Sequence, residues 1–106
     1  MIAIYDKKGF DALVTLDADT LRRANLAGAN LGNANMVEYD LTGADLSGAN
    51  LSYADLRLAI LCGANLANAD LTGADLTGAD LDGANVKGTL LEEGDLKAVI
   101  ERIVSE

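Results

Sequence analysis

The side chains of this sequence that could do chemistry are mostly carboxylates. Between Glu38 and Val86 there are eight acids and a single base, Arg57. Asp80 and Asp82 stand two apart around Leu81, and paired carboxylates can divide acid and base roles when a cleft holds them. Cys62 is the only thiol; acidic surroundings and the lack of an adjacent base disfavour its thiolate. The 106 residues contain no His, which removes the imidazole base, the Ser-His-Asp triad and any His-ligated metal. One Cys also excludes an intrachain disulfide and a Cys cluster for zinc. The net charge of −9, from 17 acids and 8 bases, argues against direct nucleic-acid binding. Half of the residues are apolar, too many for a disordered acidic tail.

What must position these groups is a repeat of period five. Leu26, Leu31, Met36, Leu41, Leu46, Leu51, Leu56, Leu61, Leu66, Leu71, Leu76, Leu81 and Val86 follow without a break. With that apolar residue as position i, position i−2 is Ala in twelve of the thirteen units, the exception being Tyr39. Position i−1 is Asn or Asp in twelve, the exception being Ile60, and i+2 is Gly in eight. Period five fits neither a helix nor a simple strand. In a helix the Leu positions would smear around the axis, and each Gly would cost about 1 kcal/mol against Ala. The spacing instead predicts a chain that turns a corner every five residues. Two side chains per unit then point inward, one large and one small. Gly at i+2 supplies the positive φ of a type II turn, and Asn or Asp beside it can bond locally. Four corners close a square, and stacked squares make a parallel β-helix with about 4.8 Å between coils. Leu and Ala fill such an interior and leave no lumen for a substrate.

The A-(D/N)-L-x-G units of residues 24–88 resemble the pentapeptide-repeat family, and with degenerate flanks the resemblance spans about 14–93. It implies an all-β fold, a right-handed quadrilateral parallel β-helix, here of about four coils from Val14 to Glu93. The whole chain is expected to be one domain: a hairpin cap over 1–16, coils over 17–93 and a short α-helix over 94–106. In the cap, Ile2 and Ile4 alternate, as do Phe10, Ala12, Val14 and Leu16, with Asp6-Lys7-Lys8-Gly9 as the turn between. Phe10 is expected on the core end. At the other terminus, Leu96, Val99, Ile100, Ile103 and Val104 follow helical spacing. Asp95 is placed to cap that helix. The stripe would close the last coil, or meet its copy in a homodimer.

With twenty residues per coil, positions twenty apart stack. One outward column is Thr20, Asp40, Ile60 and Asp80; another is Asn35, Asp55 and Asp75. Asp55 over Asp75 could bind a cation or carry a raised pKa, but a flat face lacks the converging oxygens that a hard cation needs. No metal site, cofactor or catalytic residue is assigned, and without a cleft no enzyme is expected. Tyr39 in an Ala slot predicts a local bulge, or a ring turned out near an end coil. Leu58, Ile60 and Cys62 put apolar groups at outward positions around Leu61, and Tyr53 is also outward. Leu58 and Ile60, if they share a corner, form a small apolar contact patch. The candidate interaction surface is therefore Asp40, Asp45, Tyr53, Asp55, Leu58, Ile60, Asp75, Asp80 and Asp82. The function expected is a non-enzymatic interaction or scaffold module with an acidic rod-like surface and an unnamed protein partner. Some proteins of the family imitate duplex DNA to modulate type II topoisomerases, so the resemblance implies a second reading, a DNA-mimicking modulator of gyrase. No run reaches the 18 apolar residues of a membrane span, the start does not read as a signal peptide, and a lone Cys fits a reducing cytoplasm.

Overall fold

A computed structural model describes residues 1–90. From Leu21 through Leu90 the chain makes a turn every five residues. Fourteen i+3 to i backbone bonds, from Ala24 N–H to Leu21 C=O through Thr89 N–H to Val86 C=O, mark the corners. The third residue of every turn has φ near +60 to +72°, whether it is Gly or not, as a type II turn requires. Parallel bridges join positions twenty apart and define four faces. The first carries Asn25, Asp45, Asn65 and Asn85; the second Asn30, Asn50, Asp70 and Leu90. The third carries Asn35, Asp55 and Asp75, and the fourth Asp40, Ile60 and Asp80. The result is an all-β solenoid, as the period predicts.

The five-residue unit accounts for all of its N–H groups, which is why it repeats without strain accumulating in the backbone. In the unit centred on Leu46, Leu46 N–H donates to Asn65 C=O at 2.7 Å and Gly48 N–H to Ala67 C=O at 2.8 Å, both in the next coil. Asn50 N–H donates to Ala29 C=O in the coil before at 2.9 Å, and Ala49 N–H closes the turn onto Leu46 C=O at 3.0 Å. The fifth, Ser47 N–H, points at no carbonyl and donates to Asp45 Oδ1 at 3.0 Å. The Asn or Asp of each unit is thus an acceptor built into the repeat. Leu and Ala face inward as expected: the unit-centre residues from Leu31 through Leu71 and the Ala at i−2 from Ala34 through Ala79, with Tyr39 the exception, are buried, with no polar side chain among them. Each buried Leu adds about 2 kcal/mol of transfer free energy.

The N-terminal segment is a hairpin. Strand β1 (Ile2–Tyr5) pairs antiparallel with β2 (Ala12–Leu16), in register Ile2 with Leu16 and Ile4 with Val14. The hairpin joins the first coil through its backbone: Lys7 N–H donates to Asn33 C=O at 2.9 Å and Asn35 N–H to Tyr5 C=O at 2.8 Å. The hairpin therefore forms, but Phe10 is not its core residue. Phe10 is 84% exposed, while Ile4 is fully buried. The Asp6 carboxylate explains this: its Oδ1 accepts from Gly9 and Phe10 N–H at 2.9 and 3.2 Å, holding Phe10 in the loop beyond the ladder. The start of the coils also shifts. Val14 belongs to β2 and residues 17–19 are bends, so the degenerate units before Leu21 are not coil. Tyr39 causes no bulge. Its N–H closes its turn onto Met36 C=O at 3.2 Å, its C=O accepts from Ile60 N–H at 2.8 Å, and its side chain is half-buried against the core. The position twenty before it, Asp19, lies in the bend rather than in a stacked unit, which relaxes the packing that confines Ala elsewhere in this column. The helix expected over 94–106, with Leu96, Val99, Ile100, Ile103 and Val104, lies outside the described residues.

Candidate functional site

The outward side chains are placed by the faces and corners just described. Asp55 and Asp75 stack on the third face, but neither cation binding nor a raised pKa follows from their stacking. Arg57, two residues from Asp55, forks onto it, with Nε to Oδ1 and Nη2 to Oδ2 both at 2.8 Å. Its Nε is also 4.0 Å from Asp75 Oδ2. The chain thus supplies its own cation to this pair. The Arg57 hydrogen bond holds the Asp55 carboxyl below the usual aspartate range. Asp75 is lowered chiefly by the hydroxyl and N–H of Thr77, against the opposing charge of Asp55.

The same hydroxyl device recurs. Asp40 Oδ1 accepts from Thr42 Oγ1 at 2.6 Å and from its N–H at 3.1 Å. Asp45 Oδ1 accepts from Ser47 Oγ at 2.6 Å. Both carboxyls are held below their ordinary value by these bonds, the side-chain hydroxyl first. These groups are committed acceptors, which suits a fixed negative surface and not a proton shuttle. Among the described residues, no group of three or more His, Cys, Asp or Glu is arranged to hold a metal ion. Cys62 is partly buried. Burial first, then a hydrogen bond to Asp80 and the charges of Asp80 and Asp82, push its thiol up, against nucleophilic use.

The structure brings most of the expected surface together and separates one member. Asp55 and Asp75 lie on the third face; Asp40, Ile60, Asp80 and Asp82 belong to the fourth. Leu58 is the corner between them, and Glu38 is the same corner one coil earlier. Tyr53 sits at the far corner of the third face. Asp45 is on the first face, apart from the rest. Six of the eight acids between Glu38 and Val86 therefore gather on two adjacent faces, leaving Asp45 and Asp70 on the other two. Leu58, Tyr53 and Ile60 are exposed by 55%, 52% and 39%. Sequence reasoning missed Arg57 as the partner of Asp55, although its position two residues on, where Ser or Thr serves other units, was the available signal.

Comparison with known proteins follows the same pattern. The family model for pentapeptide repeats matches in eight copies, over residues 21–62 and 54–92. No curated protein matches. Among solved structures, the chain is similar to HetL, a pentapeptide repeat protein involved in heterocyst differentiation regulation from the cyanobacterium Nostoc sp. strain PCC 7120. That match has 43% identity and a TM-score of 0.65 and covers 69% of this chain and 34% of HetL. It is also similar to a pentapeptide repeat protein from the Arabidopsis thaliana thylakoid lumen, at 37% identity and a TM-score of 0.66, over 77% of this chain and 60% of that one. The chain thus spans about a third of the first relative and less than two thirds of the second.

Proposed function

The chain belongs to the pentapeptide-repeat family, and from that premise we propose that it is a non-enzymatic interaction or scaffold module whose working surface is its third and fourth faces. The observation that carries this reading is the gathering of Glu38, Asp40, Asp55, Asp75, Asp80 and Asp82 on two adjacent faces around exposed Leu58 and Ile60. A solid Leu and Ala core supports the same reading, since it holds no substrate. The partner is a protein, in a cytoplasmic setting that suits the lone thiol. No described helix is long and apolar enough to cross a membrane. The stripe of Leu96, Val99, Ile100, Ile103 and Val104 belongs to the same proposal as a cap or homodimer surface.

Affinity capture at low salt tests it. Wild-type protein should retain a specific partner, a D40N/D80N/D82N variant should lose it, and D45N/D70N should keep it. Absence of any specific partner, or equal loss with D45N/D70N, counts against the two-face surface. The second reading, a DNA-mimicking modulator of type II topoisomerase, draws support from the same concentration of negative charge. A gyrase supercoiling assay decides it: no effect at a large molar excess sinks that reading.

A further inference from the structure

Two departures from the repeat coincide at one corner, and each breaks a local rule of the unit. Ile60 occupies the slot that supplies an acceptor in the other units. The N–H two residues after that slot donates to a side-chain oxygen in every unit from Arg22, which uses Thr20 Oγ1, through Lys87, which uses Asn85 Oδ1, with Cys62 the exception among the described residues. Ile60 thus forgoes the bond that Asn or Asp would make. Leu58, two residues away, is held at φ +62°, a left-handed conformation that L side chains other than Asn and Asp avoid. The residue between them, Ala59, is fully buried, while Leu58 and Ile60 both face outward and are exposed.

The apolar strip is also shaped and framed. A Cβ added at Gly78, one coil above Leu58, would meet Leu58 Cδ2 at 2.7 Å, so the Leu side chain lies over the Gly78 backbone and not free in solvent. In the ladder, Ile60 stands between Asp40 and Asp80. Glu38 lies one coil before Leu58, and Asp82 is two residues beyond Asp80. Local rules broken at an energetic cost mark sites kept for something other than stability. An apolar strip between carboxylates complements a partner with the converse pattern.

Resting on the interaction-module reading, we propose that the Leu58–Ile60 strip is the anchor of a docking site for a protein segment that carries an apolar side chain flanked by Lys or Arg. The apolar side chain packs on Leu58 and Ile60, and the flanking cations face Glu38 and Asp40 on one side and Asp80 and Asp82 on the other. The residues of the strip give contact area, and the carboxylates give orientation and salt dependence.

The probe is a short synthetic peptide with a central Leu-Phe pair between runs of Arg, titrated into isotope-labelled full-length protein and followed by amide chemical shifts and fluorescence anisotropy. Shifts should concentrate at residues 58–62 and 78–82 and be small on the second face, at Asn30 and Asn50. The I60N and L58G variants should bind about tenfold more weakly. Both restore the repeat, so both should melt no lower than wild type, and weaker binding cannot then be ascribed to unfolding. A peptide in which Ser replaces Leu-Phe should match the loss. Equal binding by wild type and both variants, shifts spread over all faces, or no binding by wild type at low salt would overturn the anchor. Partner capture that depends on Asp40, Asp80 and Asp82 but is indifferent to I60N and L58G would leave the interaction module standing and remove the anchor alone.

Discussion

A side chain at a corner reaches over the corner of the next coil. Tyr53, at φ +59°, lays its ring where a Cβ on Gly73 would stand, 2.5 Å from Cδ1 and Cε1. Gly73 is needed twice, for its own φ of +69° and for the ring above it. Gly73→Ala should therefore cost about 2 kcal/mol or more in wild type, but only about 1 kcal/mol in a Tyr53→Gly background, where the left-handed cost remains and the clash is gone. Denaturant unfolding of the four proteins in the cycle checks this. At this scale the sequence was legible where a residue type repeats and illegible where a rotamer decides. Leu58 and Ile60 stood out as exceptions on reading alone. The fork of Arg57 on Asp55 depends on how one flexible side chain lies across its neighbour. Alternation places Phe10 inward only if it continues through the turn. The Asp6 carboxylate that captures the loop N–H groups breaks that alternation.

The element of this fold is the five-residue unit, and its weak point is chemical. The acceptor for the fifth N–H is a side chain, and in Asp40, Asp45, Asp70 and Asp75 that side chain is a carboxylate made more acidic by the hydroxyl and N–H it accepts. A carboxyl with a lowered folded pKa adds stability in full above its unfolded value of about 3.9. That stability is lost as the pH falls from there through the lower folded values. The protein should thus hold a flat stability plateau at neutral pH and weaken below about pH 4. Replacing these four Asp with Asn, the residue the repeat already uses at Asn50 and Asn65, should flatten that acid limb. Thermal melts across the acid range read it directly; an unchanged limb would show that these bonds do not carry the pH dependence. The period predicted which residues sit in this slot. It did not predict that Ser or Thr two residues on would share the same oxygen, because Ala serves there in other units, as at Ala27 and Ala67.

For the whole molecule, the arrangement of charge follows from the number twenty. Bridges between positions twenty apart fix which outward residues share a face, so deletions have quantised effects. Removing Leu41–Ile60, a full coil, should leave every remaining column aligned and the fold intact, while removing the anchor. Removing only Leu66–Asp70 should also fold, since each unit buries the same Leu and Ala. It would, however, turn everything C-terminal by one face, so that Asp75 takes the place of Asp70 on the second face and Asp80 leaves the Ile60 column. Both deletions should retain the β-rich circular dichroism spectrum, and only the shorter one should scramble the acidic faces. Columns were readable from the sequence by counting. The gathering of six acids on two adjacent faces emerged only when all four columns were laid side by side.

That interchangeability also bears on how the chain finds its fold. A sheet strand that slips by one residue turns its buried side chains out and is rejected at once. Here a slip by one whole unit keeps nearly every Leu and Ala inside and nearly every Asx acceptor in place, so most of the core does not distinguish the right alignment from its neighbours. Only asymmetric marks do, and the earliest of them are the hairpin clasped to residues 33–35, Met36 in a Leu slot and Tyr39 in an Ala slot. The hairpin is then more than a lid. It is the origin from which the coils are counted, a zero mark on a scale whose graduations are nearly alike.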